Sequence, residues 1–529
     1  MKIPIYSEIR TAKKHLQQQS FLNNHFEMIE NGDLRKIRKI ILACMAVEKI
    51  KIDEAYKSSL PRLLAHIKIQ QVSITVSDLL LHGQIVESVI TSNLRKKKIT
   101  YPLSAQWIDI FYQNGLPVGK YASLVKFYHY QIQKLLKNHA KAILIALHRN
   151  KKVFELHNNS ALIHTELTES RVQLISPGRM SFTSWLKDKK IVEQNTEEIY
   201  FLRGNKSYLS NEIEVNQMFK FDLVKTLVDC YKLVSKSHFQ FMKLFLIAPN
   251  LVLEYINLNE DISENISKLI IPSAQGWIKS TWHVKIEELG TEIIYVNLSD
   301  SSEPSMTFDQ NFPVNWYFFS QWKNMSVCSD NQQLIIDSQR LGSNASKVKV
   351  LGVPDWQDSG ELLIDRDHAY ISVFDFEPYK GHYGFSCNND SGYSDIQNTL
   401  KFIKSISDIA KKIETYVVYK PKRSAPDVKR YQEYKNTLKN TSITNKYFIV
   451  AEETIAPRRI ILNSAASIQM PFTSTALIAK EHNISTCFYD IVGQVNSNDP
   501  GANGVKIIKS EKILTDWIVE QLKFSTLNR

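Results

Sequence analysis

The chain has 529 residues, of which 43% are hydrophobic and 23% are charged. This composition is typical of a globular protein with several domains, because domains average ~150 residues. It excludes collagen-like and largely disordered chains, and no apolar run approaches the ~20 residues of a transmembrane helix. The five cysteines stand singly, which disfavours a structural zinc site and fits a reducing compartment. No secretory signal follows the first residues, so we expect a cytoplasmic protein.

The net charge of +12 is unevenly distributed along the chain. Residues 1–150 hold 23 Lys and Arg against 10 Asp and Glu, whereas the remainder is close to neutral. Such a region attracts an anionic membrane face, an anionic acceptor or nucleic acid, or it is the solvated face of an ordinary helical domain. The basic clusters at 35–39 and 95–98 are not interleaved with aromatic residues, so we expect no nucleic acid partner. Peripheral contact with the inner face of the cytoplasmic membrane is one interpretation, and a solvated helical face is the other.

The hydrophobic pattern divides the chain into three parts. Residues 1–150 carry apolar residues at helical spacing and predict a basic, mainly α-helical region. In 151–310, short apolar strands alternate with helices, which predicts parallel βαβ units. A polar stretch with two prolines, at 301–315, is the predicted boundary. The alternation is clearest in 316–529 and predicts a doubly wound α/β domain, whose ligands bind beyond the carboxyl ends of the strands.

Residues 463–490 form the most informative segment. A predicted strand at 466–469 enters a turn with three consecutive hydroxyl side chains, Thr473, Ser474 and Thr475, and a helix follows at once. Hydroxyls beside the free N–H groups of a helix start form an anion site suited to a phosphate. The alternative is that Ser474 or Thr475 only caps the helix.

The run Pro471-Phe472-Thr473-Ser474 resembles the motif of the bacterial surface-polysaccharide biosynthesis proteins that are named for PFTS. The order of strand, turn, helix and second strand, ending in Tyr489-Asp490, resembles the nucleotide-sugar half of GT-B glycosyltransferases. The PFTS proteins in turn resemble the capsule and lipopolysaccharide transferases that use CMP-activated ulosonic acids, such as Kdo and nonulosonic acids. The resemblance spans about 196–510.

This resemblance implies two Rossmann-like domains in the GT-B arrangement, an acceptor domain at 151–310 and a donor domain at 316–529. It implies a nucleotide sugar as co-substrate, with a CMP-sugar favoured, and no metal or bound cofactor. The acceptor would be a glycan or glycolipid, in capsule or lipopolysaccharide synthesis.

Several residues are candidates for nucleotide binding. Lys420, Pro421, Lys422 and Arg423 follow a predicted strand and place three cations at the edge of the sheet, unless they form a solvated basic turn. In CMP-sugar transferases a His-Pro pair lies at a similar point, where this chain has Lys420-Pro421. Gly352 follows another strand and permits close approach of a ligand, or it is a plain turn glycine.

Asp375 and Glu377 follow a buried strand at 370–374 and are the predicted catalytic carboxylates. We expect them to face the cleft, as base, nucleophile or hydrogen-bond partner of the sugar; the alternative is a turn or helix cap. A nucleophile would retain the anomeric configuration and a base would invert it. Arg203, Asn205 and His283 are the predicted acceptor-binding residues, although a lone His is more often structural.

The first hypothesis is therefore a metal-independent glycosyltransferase. The second is a nucleotide-sugar epimerase of the same build, which would need neither an acceptor nor a basic region. The third is a non-catalytic assembly protein on this fold.

Overall fold

The structure is a computed structural model of the 529-residue chain. It describes residues 97–147, 160–164, 182, 184–191, 199–203, 212–214, 248–256, 266–273, 279, 281–299, 322–339, 348–354, 369–376, 396–422, 429–452, 455–493 and 495–527, together with scattered residues between 40 and 72.

The described N-terminal residues contain two long helices, joined by a segment in which Val118 forms a bridge to Ile99. Helix α1, Ala105–Gln113, begins after Ser104, whose hydroxyl accepts a capping hydrogen bond from the Trp107 N–H. Helix α2, Lys120–Leu147, follows and packs against α1. The Trp107 indole donates to Glu48 Oε1 at 3.1 Å, which ties α1 to the helical residues around position 48. Both helices agree with the predicted segments at 106–114 and 122–145.

The first sheet has seven strands, all parallel, in the order β3-β2-β1-β4-β5-β6-β7. The strands are β1 Ser160–His164, β2 Ile199–Arg203, β3 Glu212–Glu214, β4 Ile266–Ser273, β5 Glu292–Asn297, β6 Asn324–Val327 and β7 Val348–Val350. Helices α3 Pro249–Ile256, α4 Thr281–Glu288 and α5 Asp330–Gln339 connect or flank them. Because α4 ends before Gly290, which has φ +104°, the chain turns there into β5, as predicted.

The second sheet has six parallel strands in the order β10-β9-β8-β11-β12-β13. The strands are β8 Tyr370–Phe374, β9 Tyr416–Lys420, β10 Phe448–Val450, β11 Ala466–Gln469, β12 Thr486–Tyr489 and β13 Lys506–Ile508. The helices are α6 Ile396–Lys412, α7 Lys429–Thr444, α8 Pro457–Leu462, α9 Thr475–Glu481 and α10 Glu511–Leu527, with a 3-10 turn at Pro500–Ala502.

The second sheet is buried on both faces. Alternate side chains of β8 separate into two cores: Ile371 and Val373 pack with α6, α7 and α10, whereas Tyr370 and Phe374 pack with α8 and α9. Helices on both faces of a parallel sheet are the doubly wound arrangement that the sequence predicts. In both sheets the first strand lies inside, and the strand order reverses beside it.

The predicted boundary at 301–315 is wrong as the place where the sheet changes. Strands β6 and β7 come after it and still pair with β5 in the first sheet. The change of sheet falls between β7 and β8, after Val350 and before Tyr370. Residues 301–315 lie outside the described residues, in the connection between β5 and β6 of one sheet.

Candidate functional site at the carboxyl edge of the second sheet

The strand order of the second sheet reverses between β8 and β11. In doubly wound sheets the loops after two such strands lead in opposite directions and leave a crevice that binds ligands. Here the loop after β8 begins with Asp375, and the loop after β11 contains Pro471–Thr475. The two loops are joined, because the Met470 N–H donates to the Phe374 carbonyl at 3.0 Å and the Phe376 N–H contacts Met470 Sδ at 3.3 Å.

The turn after β11 has an unusual backbone at Phe472. This residue has φ +65°, in the left-handed region that bulky L-residues rarely adopt. Its side chain is buried and packs against Phe488 of β12, with ring centroids 5.8 Å apart. The buried aromatic contact thus holds a backbone conformation that costs about 1–2 kcal/mol.

The three hydroxyls of this turn do not act as a simple cap. The Thr473 hydroxyl donates to the Met470 carbonyl at 3.1 Å, and the Thr475 hydroxyl donates to Thr473 Oγ1 at 3.2 Å. Ser474 occupies the capping position of α9, but its side chain makes no capping hydrogen bond. The alternative that Ser474 merely caps the helix is therefore not what the geometry shows. Assignment of these hydroxyls to a phosphate stays a prediction.

The cations after β9 separate into different environments. Lys420 is buried, and its ammonium donates to the Glu452 carbonyl at 3.0 Å. Lys422 is exposed, and its Nζ lies 4.8 Å from the centre of the Phe376 ring, in the loop after β8. Arg423 lies outside the described residues. Lys422 is thus the cation that the structure places at the surface beside the crevice.

Asp375 is buried instead of facing the cleft. Its Oδ2 accepts hydrogen bonds from the hydroxyls of Tyr419, at 2.6 Å, and Tyr434, and its Oδ1 accepts from the Lys422 N–H at 2.9 Å. Burial raises the pKa of Asp375 to about 6, and these hydrogen bonds oppose the rise. Burial beside the carboxylate also raises the pKa of Tyr419 well above its ordinary value, so this phenol donates its proton.

These contacts give Asp375 a structural role. Both carboxylate oxygens accept hydrogen bonds and the residue is 2% exposed, so it holds the loop that starts at Pro421; its predicted catalytic role stays a prediction. Glu377, the second predicted carboxylate, lies outside the described residues. Tyr419 and Tyr434 were not expected from the sequence, because nothing in a strand or helix pattern indicates that two tyrosines meet one carboxylate.

Gly352 does not belong to this crevice. It follows β7 of the first sheet with φ +87°, and a Cβ added to it would lie 3.1 Å from Glu481 Oε2. Glu481 is the last residue of α9, and its Oε1 forms an ion pair with Lys189 Nζ at 3.1 Å. Since α9 spans seven residues, or about 10 Å, Gly352 lies one helix length from the turn at Ser474. The atoms that approach Gly352 closely therefore belong to the Glu481 side chain.

The structure describes the predicted acceptor residues only in part. His283 is fully buried, with its ring 3.9 Å from that of Trp282 and 5.5 Å from that of Trp322, so it is a structural residue of an aromatic cluster. Arg203 ends β2 and so lies at the carboxyl edge of the first sheet. Asn205 lies outside the described residues.

A buried polar ladder crosses the second sheet and was missed from the sequence. Ser372 of β8 donates to Ser467 of β11 at 2.8 Å, Gln469 donates to the same hydroxyl at 2.6 Å, and Thr486 of β12 donates to Gln469 at 2.8 Å. Polar residues at alternate positions of otherwise apolar strands were the signal that could have found it. The ladder joins β8, β11 and β12 within the sheet, at the level where β12 begins, and so lies away from the carboxyl edge that carries the crevice.

Among the described residues, no group of three or more His, Cys, Asp or Glu side chains is arranged to hold a metal ion. In the same part of the chain, no helix has both the length and the apolar character of a membrane span.

Comparison with known proteins identifies a family whose sequence model includes the turn after β11. The sequence model of the family described as polysaccharide biosynthesis PFTS motif protein matches residues 228–518, more than half of the chain. The chain belongs to this family. The match includes the whole second sheet, and the motif of the PFTS family is the strained turn beside the crevice, Pro471 to Ser474. Among curated protein sequences, none matches this chain.

Similar solved structures include three proteins whose descriptions name a nucleotide sugar or a glycosyl transfer. A UDP-GlcNAc 2-epimerase from Methanocaldococcus jannaschii is 9% identical, with TM-score 0.34 over 69% of this chain and 92% of that chain. The glycosyltransferase SnogD from Streptomyces nogalater is 12% identical, with TM-score 0.33 over 66% and 88%. A UDP-glucosyltransferase from Polygonum tinctorium is 9% identical, with TM-score 0.30 over 69% and 83%. Likeness at this level does not define an activity for this chain.

Proposed function

We propose that this PFTS family protein is a glycosyltransferase that binds the donor nucleotide in the crevice of the second sheet. The observation that carries this proposal is the position of the PFTS turn. It lies directly after β11, where the strand order reverses, and Met470, the residue before it, is hydrogen-bonded to the Phe374 carbonyl at the end of β8. Doubly wound sheets bind nucleotides at this point, and the family is one of polysaccharide biosynthesis.

In this proposal Lys422 and the hydroxyl turn bind the phosphate of the donor. Lys422 supplies a cation that stabilises the negative charge on the departing phosphate, while Ser474 lies at the capping position of α9, next to the N–H groups that begin the helix. Asp375 has a positioning role, because it fixes the Lys422 backbone through a 2.9 Å hydrogen bond. Glu377 remains our candidate for the carboxylate that serves the sugar carbon or the acceptor hydroxyl.

The finer assignments rest on the resemblance and on charge. We propose a CMP-activated ulosonic or nonulosonic acid as donor, a surface-polysaccharide or lipid-linked glycan as acceptor, and two Rossmann-like domains in the GT-B arrangement. We propose that no metal takes part, since cations of the chain supply the charge that a metal would. The cationic residues 1–150 would hold the enzyme near an anionic acceptor or membrane.

Calorimetric titration with CMP, UDP and GDP tests the nucleotide site. We expect one of them to bind, and Lys422→Gln to weaken its affinity about tenfold or more, because a charge-assisted hydrogen bond to phosphate is lost. Lys446→Gln is the matched control. Lys446 is also exposed and its Nζ lies 4.9 Å from the Tyr447 ring, but it precedes β10 at the opposite edge of the sheet.

The outcomes separate the parts of the proposal. Binding of CMP but not UDP supports the ulosonic-acid donor, and preference for UDP or GDP contradicts it while leaving a transferase. Equal effects of the two lysine variants would contradict the location of the site. Absence of binding by all three nucleotides would contradict the transferase.

A further inference from the structure

Helix α2 carries a stripe of apolar side chains that the rest of the described chain leaves exposed. Six residues form the stripe, each between 54% and 84% exposed: Tyr121, Val125, Tyr128, Ile132, Leu136 and Ile143. Their spacing of three, four or seven residues places them on one face of the helix. An apolar face of this length on a helix in water indicates a partner.

The stripe is separate from the side that anchors α2. Ser123 is buried on the opposite side of the helix, and α2 packs against α1 and α3. The Ser123 N–H donates to the Gly119 carbonyl, and the Ser123 hydroxyl lies 3.4 Å from the Ile99 carbonyl. These contacts hold α2 against the described chain, and the hydrogen bonds among them involve no residue of the stripe.

Charge distinguishes between the partners that could cover this face. Helix α2 contains five lysines and no Asp or Glu, yet the exposed Lys126 and Lys137 lie more than about 100° around the helix axis from Ile132. Lys126 is directed back toward its own chain, where its ammonium donates to the Thr100 carbonyl at 2.6 Å. His129, hydrogen-bonded to Gln133 at 2.8 Å, borders the stripe instead.

An anionic lipid surface is not the partner that this distribution favours. A helix that lies on such a surface needs its lysines beside the apolar face, where they reach the phosphates. A helix of a second copy requires an apolar seam with uncharged borders, so that like charges do not meet. The six side chains offer on the order of 700 Å² per copy, close to the ~800 Å² per partner of a standard interface.

We propose that two copies of this chain pair through the stripe of α2, about a two-fold axis near Ile132. Ile132 is the midpoint of the stripe between Tyr121 and Ile143, so it meets its own counterpart whether the helices run parallel or antiparallel. The proposal is independent of the nucleotide site.

Sedimentation analysis of the full chain at micromolar concentration tests this pairing. We expect a particle of twice the chain mass, and we expect Ile132→Glu to weaken the dimer at least tenfold, because a buried apolar anchor is replaced by a charge. Lys137→Glu is the matched control: it introduces the same residue at an exposed position of α2 away from the stripe, and the dimer should persist.

A second measurement covers the case in which Ile132→Glu fails to fold. Ile132→Cys should form a disulfide between copies under mild oxidation, whereas Lys137→Cys should not. A monomeric full chain would overturn the proposal. So would a dimer that Ile132→Glu leaves intact, or a monomer that binds vesicles containing phosphatidylglycerol through Ile132.

Discussion

Asp375 is a buried carboxylate whose protonation depends on folding. Its pKa of about 6 in the folded protein lies above the 3.8 of an exposed Asp, because burial disfavours the charge. The folded protein therefore binds more protons than the unfolded chain between about pH 4 and pH 6. Stability from this group is fully present below about pH 4 and is lost as the pH rises through 6.

We predict that Asp375→Asn removes this dependence. Relative to the natural protein, the variant should gain about 2–3 kcal/mol in free energy of unfolding between pH 4 and pH 7, because Asn carries no charge to bury. Urea denaturation at several pH values measures this difference. Asp408→Asn, at an exposed position of α6, is the control; parallel pH profiles for the two variants would contradict the prediction.

The residues of the site were predictable in position but not in contacts. Lys422 and Thr473 were expected at the carboxyl edge because each follows an apolar strand, and the structure places both there. The environment of Asp375 was not predictable, since Tyr434 comes from a helix 59 residues further along the chain. The burial of His283 was not predictable either, because its sequence neighbours do not reveal the contact with Trp322.

At the scale of elements, the turn between β11 and α9 combines strain with burial. Phe472 has a positive φ that favours glycine, yet its ring packs on Phe488. Loss of the ring in Phe472→Ala should lower the free energy of unfolding by about 3 kcal/mol or more. Phe472→Gly loses the same packing but relieves the backbone, because glycine adopts a positive φ without steric cost.

We predict that Phe472→Gly is at least as stable as Phe472→Ala, with a gain of about 1 kcal/mol. This reverses the usual order, since glycine lowers stability relative to alanine at ordinary backbone positions. Urea denaturation of the two variants measures the difference. An alanine variant that is clearly the more stable would show that the turn is unstrained.

Elements with a long apolar run were predicted from the sequence, and short or polar ones were not. The strands β8, β9, β11 and β12 were expected within one residue of their ends, because each is an apolar or β-branched run bounded by polar residues. Strands β3 and β13 have three residues each and contain charged side chains, so they carry no such signal. The sequence Asn-Met-Ser-Val of β6 likewise lacks a pattern.

At the scale of the whole molecule, the second sheet has a core of its own. Both hydrophobic clusters that pack against it consist of residues between Tyr370 and Leu522, and no residue of the first sheet belongs to either. A unit with its own core is expected to fold alone. The predicted boundary at 301–315 failed because loop composition does not reveal which sheet the next strand joins.

We predict that a fragment of residues 365–529 folds and unfolds cooperatively. It contains every strand and every core residue of the second sheet, together with Lys422 and the PFTS turn. Circular dichroism during thermal unfolding measures this, and the fragment should bind the same nucleotide as the full chain. A non-cooperative transition would contradict the prediction and would show that the first sheet stabilises the second.

The order of strands also has a consequence for how the protein is made. Strand β8 emerges first yet lies in the middle of its sheet, and its partner across the crevice comes late: Ile371 pairs with Ala466, 95 residues further along. Non-local pairings of this kind form slowly, because a long loop must close first. During synthesis one edge of β8 stays unpaired until β11 emerges, and an unpaired strand edge invites association with other chains. The pairing of β8 with β11 thus has two consequences. It forms the crevice that is the candidate binding site, and it removes an unpaired strand edge that could cause the growing chain to aggregate.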